Sequence, residues 1–160
     1  SASLTDLQNH VNADNPHNVN SSIELLLAEG TSTNINGSNY VVWDNTTISD
    51  SPYTFDGTIV TFDQEGTYEI NADADFQNGT ARANPNLYIE HYDGTAWNWV
   101  GVFGRSGYVR NSSGHDHSSV HAHAVVVVSV GEQIRVRGAQ EAQGGGAVPD
   151  RAMLLAKKLQ

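Results

Sequence analysis

HDHSSVHAHAVVVVSVGEQIRVRGA, residues 115–139, decides how this chain is read. In extended backbone every second side chain points the same way. Four histidines fall on alternate residues here, His115, His117, His121 and His123, ahead of the run Val125 to Val128. Gly131-Glu132 then supplies a turn, and in the segment that follows Ile134 and Val136 alternate with Arg135 and Arg137. The pattern predicts two paired strands, Ser119 to Val130 and Gln133 to Ala139. A row of imidazoles on one strand face has two uses: a polar face that titrates near neutral pH, or a ligand set for a transition metal.

Working outward, the same period of two recurs. Tyr68, Ile70, Ala72, Ala74 and Phe76 alternate with Glu69, Asn71, Asp73, Asp75 and Gln77, the pattern of a strand with one buried and one wet face. It follows the break Asp63-Gln64-Glu65-Gly66 after a strand over Thr58 to Phe62. Asn86 to Tyr92 and Ala96 to Phe103 form a further pair joined at Asp93-Gly94, a dipeptide suited to positive φ in a hairpin turn. Gly144-Gly145-Gly146 opens a loop before the last apolar run, Ala152 to Leu159. The stretch Ile23 to Glu29 is too short for periodicity to separate a helical turn from a first strand. Residues 1 to about 25, rich in Asn, Asp and Ser with Pro16, read as an arm or linker, and residues 30–160 as one knob domain. Short strands divided by Gly, Asn and Asp turns, without a long helical period, predict an all-β, antiparallel jelly-roll sandwich.

Composition narrows the function classes. A chain of 160 residues suits a single domain. Asp plus Glu outnumber Lys plus Arg by 18 to 8, a formal charge of -10, and such a surface repels nucleic acid and anionic membrane. The absence of cysteine excludes a disulfide framework and thiol catalysis and is neutral about compartment. The start Ser1-Ala2-Ser3-Leu4-Thr5-Asp6 lacks a basic n-region and apolar run, and no apolar stretch approaches the roughly 18 residues of a membrane span. The expectation is a soluble protein made without Sec export, unless a signal has already been removed. Neither a Gly-x-Ser-x-Gly elbow, a phosphate-binding glycine loop nor a His-Glu-x-x-His motif is present, so a non-enzymatic role is expected.

Four quoted stretches carry a resemblance. GTIVTFDQEGTYEINADADF (57–76) has a Gly and an aromatic entering the second strand, and LYIEHYDGTAWNWV (87–100) forms the central hairpin. VHAHAVVVVSVGEQIRVRGAQ (120–140) gives an apolar strand, a Gly-acidic turn and an alternating strand, and AMLLAKKL (152–159) sits where a last strand closes the inner sheet. From about residue 52 to 159 the chain resembles the jelly roll shared by tumour necrosis factor and the complement globular head. It departs from that family in carrying Met153 and no aromatic in the final strand, and in having Gly144 to Val148 where a more polar loop is usual. A second resemblance lies in the arm: HVNADNPHNV (10–19) is similar to a His-spacer-Asn-Pro-His element of bacteriophage fibre proteins. Together they imply a homotrimeric virion surface protein, made in the host cytoplasm. Its arm, through His10, Asn15, Pro16 and His17, would anchor it to the major capsid protein or a fibre shaft.

The resemblance also places the histidines. If Val120, Ala122, Ala124, Val126, Val128 and Val130 face the core, then His121, His123, Val125, Val127 and Ser129 face neighbouring subunits near a threefold axis. Three copies of His121 and His123 would offer six imidazole nitrogens to one axial ion, a sphere better suited to octahedral Fe, Ni or Co than to Zn. The other reading is a polar trimer seam without metal. His115 and His117 are expected in the Gly114-containing loop, too far along the strand to share that ion. Tyr88, Tyr92, Trp97 and Trp99 cluster around the Asp93-Gly94 hairpin and could stack on a host glycan, with Arg105 and Tyr108 adding to the contact surface. The expected role for Trp97 and Trp99, however, is core packing. Glu69, Asp73 and Asp75 could hold Ca²⁺ or act as an acid/base pair, but are expected to be solvated. Arg135 and Arg137 are expected to pair with a neighbour's carboxylates.

The leading expectation is a capsid decoration protein or head fibre, complete from Ser1 as after loss of an initiator Met. The runner-up is the receptor-binding tip of a tail fibre, using the aromatic cluster and the loop Arg105 to Asn111. A free bacterial binding module or secreted ligand of the same fold is the third.

Overall fold

Alternation of apolar and polar residues becomes thirteen strands in the computed structural model, which describes residues 3, 23–30, 33, 38–78, 82–110, 114–140 and 147–160. His10, Asn15, Pro16 and His17 of the expected arm, and Gly144 to Gly146, lie outside the described residues. The strands are β1 (Leu25–Gly30), β2 (Ser38–Tyr40), β3 (Asn45–Ser49), β4 (Tyr53–Phe55), β5 (Ile59–Phe62), β6 (Gly66–Asn78) and β7 (Arg82–Ala83). They continue with β8 (Pro85–Tyr92), β9 (Trp97–Arg105), β10 (Val109–Arg110), β11 (His117–Val128), β12 (Gln133–Gln140) and β13 (Ala147–Lys158). The ambiguous stretch near Ile23 is therefore strand, and among the described residues no helix is long and apolar enough to cross a membrane.

All these pairings are antiparallel, and the hydrogen-bonded order runs β3-β1-β13-β6-β11-β9-β8-β12-β5-β4, with β2 on β12 and a separate β10-β7 pair. The first five strands of that order form one layer and the last five the other. Between them lie Tyr68, Ile70, Ala72, Phe76, Ala122, Ala124, Leu154 and Ala156 from the first layer, all fully buried. Val60, Phe62, Leu87, Ile134 and Val136 meet them from the second. Phe62 tilts onto Tyr68 at 4.5 Å between ring centroids, and Tyr53 meets both rings edge-on at 6.2 and 5.8 Å. The hydroxyls still find acceptors: Tyr53 donates to the Glu24 carbonyl at 2.9 Å and Tyr68 to that of Gln64 at 3.0 Å. Burial, with the Glu24 and Asp63 carboxylates adding to it, pushes the Tyr68 phenol up to about 12, so it packs as a neutral group.

The predicted hairpin of residues 119–139 is present, with Gly131 at φ 88° and the Ser129 amide donating to the Glu132 carboxylate at 3.0 Å. Val120, Ala122, Ala124, Val126 and Val128 face the core, while Val130 does not: the strand ends at Val128, and Val130, in the turn, is 66% exposed. At Asp93-Gly94 the connection is longer than a two-residue turn. Asp93 accepts from the amides of Thr95 and Ala96, both at 2.9 Å, which holds its carboxyl below the usual range.

The two layers join where β9 crosses β11. Backbone pairing there is confined to His123 with Val102, and a side chain at Gly101 or Gly104 would collide with the backbone of His121, His123 and Ala124. Gly101 also holds φ at 68°, so both steric room and conformation require glycine. Gly104→Val is expected to cost at least about 2 kcal/mol of stability, since overpacking against backbone cannot relax through a rotamer change. Chemical denaturation against the wild type measures it.

Candidate functional site

Each layer turns one polar-decorated face away from the core, and the two faces have different chemistry. On the first layer, antiparallel register sets His121 of β11 directly opposite Asp73 of β6, while His117 and His123 fall diagonally to Asp75 and Glu69, which stand opposite Ser119 and Val125. His121 Nδ1 lies 2.6 Å from Asp73 Oδ1, His123 Nε2 3.4 Å from Glu69 Oε1, and His117 Nδ1 3.7 Å from Asp75 Oδ2. The expectation that Glu69, Asp73 and Asp75 are simply solvated is thus corrected: all three are half-buried and engaged by imidazoles one strand away. Cross-strand pairing at close range, which alternation within one strand cannot reveal, is the reason. His117 is also not a loop residue, since it opens β11, while His115 precedes the strand and its carbonyl accepts from the Arg110 amide at 2.7 Å.

The rings of His121 and His123 are nearly parallel, 6.3 Å between centroids, and both side chains are about half exposed. With Nδ1 of His121 on Asp73, its Nε2 is the nitrogen left for another partner, an orientation common in metal-ligating histidines. His123 instead turns Nε2 toward Glu69, leaving Nδ1. Toward the Gly131 turn the same face becomes apolar, with Val125 54%, Val127 77% and, from β9, Val102 70% exposed. Beside Asp73 and His121 a groove of about 860 Å³ opens, reaching Asp75, Ser119, Asp150 and Met153.

The second layer's outer face is a ladder of arginines and aromatic rings. Glu90, buried at the centre, holds Arg135 at 2.7 Å and Arg137 at 3.1 Å. Arg135 is sandwiched between Tyr40 and Trp97, 3.9 and 3.8 Å from their ring centroids. Arg137 sits over Tyr88 and Trp99 at 4.8 and 5.3 Å, Tyr88 stacks on Trp99 and Phe103, and Arg105 caps Phe103 at 5.0 Å. Two expectations change here. Arg135 and Arg137 pair with this chain's own Glu90 rather than depending on a neighbour. Trp97 and Trp99 do share a face, but it is the outer one: Trp97 is half-buried under Arg135 and Trp99 is 60% exposed. The core-facing positions of β9 are taken by Val100 and Gly104, and the latter leaves no room for a ring.

Tyr88, Tyr92, Trp97, Trp99 and Arg105 are therefore brought to one sheet face, with Tyr92 tilted against Trp97 at 5.4 Å. Tyr108 lies past the end of β9, its ring beneath Arg110 at 5.6 Å. Sequence reasoning missed Tyr40 and Glu90, and also His91, which meets Glu132 at 2.9 Å. The signal for Glu90 was an acidic residue in the middle of an apolar strand, flanked by Ile89 and facing the positions later filled by arginines.

No family model matches the chain, and no curated protein matches it. Solved structures do. Murine APRIL is similar over 86% of this chain and 100% of its own, with a TM-score of 0.64 at 14% identity. The Eiger TNF of S. frugiperda is similar over 86% and 93%, with a TM-score of 0.59 at 12% identity. The globular domain of zebrafish complement 1qA covers 86% and 98%, with a TM-score of 0.60 at 13% identity. The chain has the jelly-roll fold of these TNF-type and complement globular domains, over more of its length than the four sequence stretches indicated.

Glu90→Gln leaves two close guanidinium groups with a single neutral partner. It is expected to lose about 2 kcal/mol of stability, read by urea denaturation, with Trp97 fluorescence reporting the loosened sandwich.

Proposed function

We propose that this chain is a non-enzymatic homotrimeric knob on a phage virion, a capsid decoration protein or head fibre whose protomers meet across the histidine–valine face. The observation that carries it is the row Val102, Val125 and Val127, between 54% and 77% exposed on a sheet face beside paired histidines and carboxylates. Covering such side chains contributes about 1.5–3 kcal/mol each, and a face of this kind on three identical strands fits around a threefold axis. The family the chain resembles is built as homotrimers, which supports the same arrangement. In it His121 and His123 line the seam and would present six imidazoles to an axial Fe, Ni, Co or Zn ion. The virion assignment rests on the His-spacer-Asn-Pro-His resemblance of the arm, in which His10, Asn15, Pro16 and His17 would engage the capsid or a shaft.

A second reading, a receptor-binding fibre tip, is favoured by the exposed rings of Trp99 and Phe103, which offer sugar-stacking surface at the end of the arginine ladder. A free bacterial binding module would use the same surface without the arm.

Light scattering on the purified chain is expected to give the mass of three protomers. Val125→Lys/Val127→Lys should return it to one with the β-sheet circular dichroism unchanged. A monomeric wild type would sink the trimer and the axial site with it. Removing residues 1–22 is expected to abolish capsid binding while leaving the trimer, whereas retained capsid binding removes the anchoring role; cell or glycan binding that survives the deletion points to the tip.

A further inference from the structure

We propose that Asp75, His117 and Asp150 form a binding site for a borderline divalent ion of the zinc class, one per chain, at the end of the first layer away from the valines. The three residues come from β6, β11 and β13, and their ligand atoms all lie within 4.8 Å of one another. Asp150 arrives there through a bulge. The β13–β6 register passes from Pro149 opposite Phe76 to Arg151 opposite Asp75, so Asp150 is the extra residue, and bulges re-aim side chains in this way.

The spacing separates this trio from the rest of the face. His121 and Asp73 are closed onto one another at 2.6 Å, a direct hydrogen bond. His117 Nδ1 and Asp75 Oδ2 stand 3.7 Å apart, too far for that. Two donors bound to one ion at about 2.0–2.2 Å are themselves roughly 3–3.6 Å apart, so the gap is close to that of two ligands of a shared metal. Supporting groups are also placed. The Ser119 hydroxyl reaches Asp75 Oδ1 at 3.4 Å, on the oxygen not turned to His117. Asp116 Oδ2 stands 3.9 Å from His117 Nε2, the nitrogen on the far side of the ring, beyond hydrogen-bond distance but adding negative charge beside the imidazole.

The donor set selects the ion. One imidazole with two carboxylates suits Zn²⁺ or a neighbouring transition ion better than Ca²⁺, which takes six to eight oxygens. Asp75 and Asp150 both line the groove of about 860 Å³, so a fourth coordination position faces open space where water or an anionic ligand can enter. The site is separate from any axial ion: His117 lies four residues before His121, about 13 Å along an extended strand. All three ligands belong to one chain, so the site does not require a trimer.

The test is a calorimetric titration of chelator-stripped, full-length, tag-free protein with Zn²⁺ alone. One ion per chain is expected at this site, with Asp150→Asn and His117→Ala each weakening that binding at least tenfold, while His121→Ala/His123→Ala keeps the one-per-chain ion and loses at most an axial ion of one per three chains. Circular dichroism verifies that each variant is folded, and in the wild type a zinc-dependent shift of the His117 imidazole signals gives a readout free of substitution. No zinc uptake, wild-type affinity in Asp150→Asn, or loss of all binding in His121→Ala/His123→Ala overturns the proposal. In that last case a stoichiometry of one ion per three chains assigns the metal to the axis instead.

Discussion

The contact on which the rest depends is the crossing of β9 over β11, where the backbone at Gly101 and Gly104 lies directly on His121 to Ala124. Where a strand leaves one sheet and passes to the other, the corner leaves no space for side chains between the crossing backbones. Once β9 is pinned there, its register on β8 shifts by a bulge between Leu87 and Ile89. Trp97 and Trp99 stand on the outer face of β9, over Arg135 and Arg137, while Val100 and Gly104 face the core. The position of Val102 beside His123 follows from the same crossing.

How much of this the sequence disclosed depends on whether an interaction is local. Alternation in Tyr68 to Phe76 and in Val120 to Val128 was legible because a strand with one buried face writes its own period. The Gly131 turn was legible because positive φ restricts the residue types that fill it. The fate of Trp97 and Trp99 was not, because two residues two apart share a face under either reading, and which face is buried was set by glycines on the same strand meeting a partner far along the chain. Arg135 and Arg137 were correctly placed on one face, yet their partner Glu90 lies 45 residues from Arg135 and could not be picked from several acidic residues by spacing. For the candidate site, the histidine row was visible from the first reading. Its carboxylate partners were visible too, as a separate row, but only sheet register joined the two.

The chemistry of the two faces reflects how a chain with few cations distributes them. Arg135 and Arg137 are spent on one side, fixed by Glu90 and by stacking on four rings, where a planar guanidinium loses little freedom when ordered. On the other side Asp73, Asp75 and Glu69 are answered mainly by imidazoles, which form compact neutral or charged partners and leave one ring nitrogen free for a further bond. The first face is rigid and self-contained. The second retains unused donor capacity.

The outermost strands of the hydrogen-bonded order, β3 and β4, are consecutive in sequence, with only residues 50–52 between them. One short segment therefore finishes the sheet at both of its ends, five residues on one side and three on the other. At these two ends, among the described residues, the jelly roll offers a passing chain little unpaired backbone on which to add a strand. Crowding many copies together then favours contact through side chains over fibrous growth through main-chain ladders, so local concentration can rise without the sheet becoming a template.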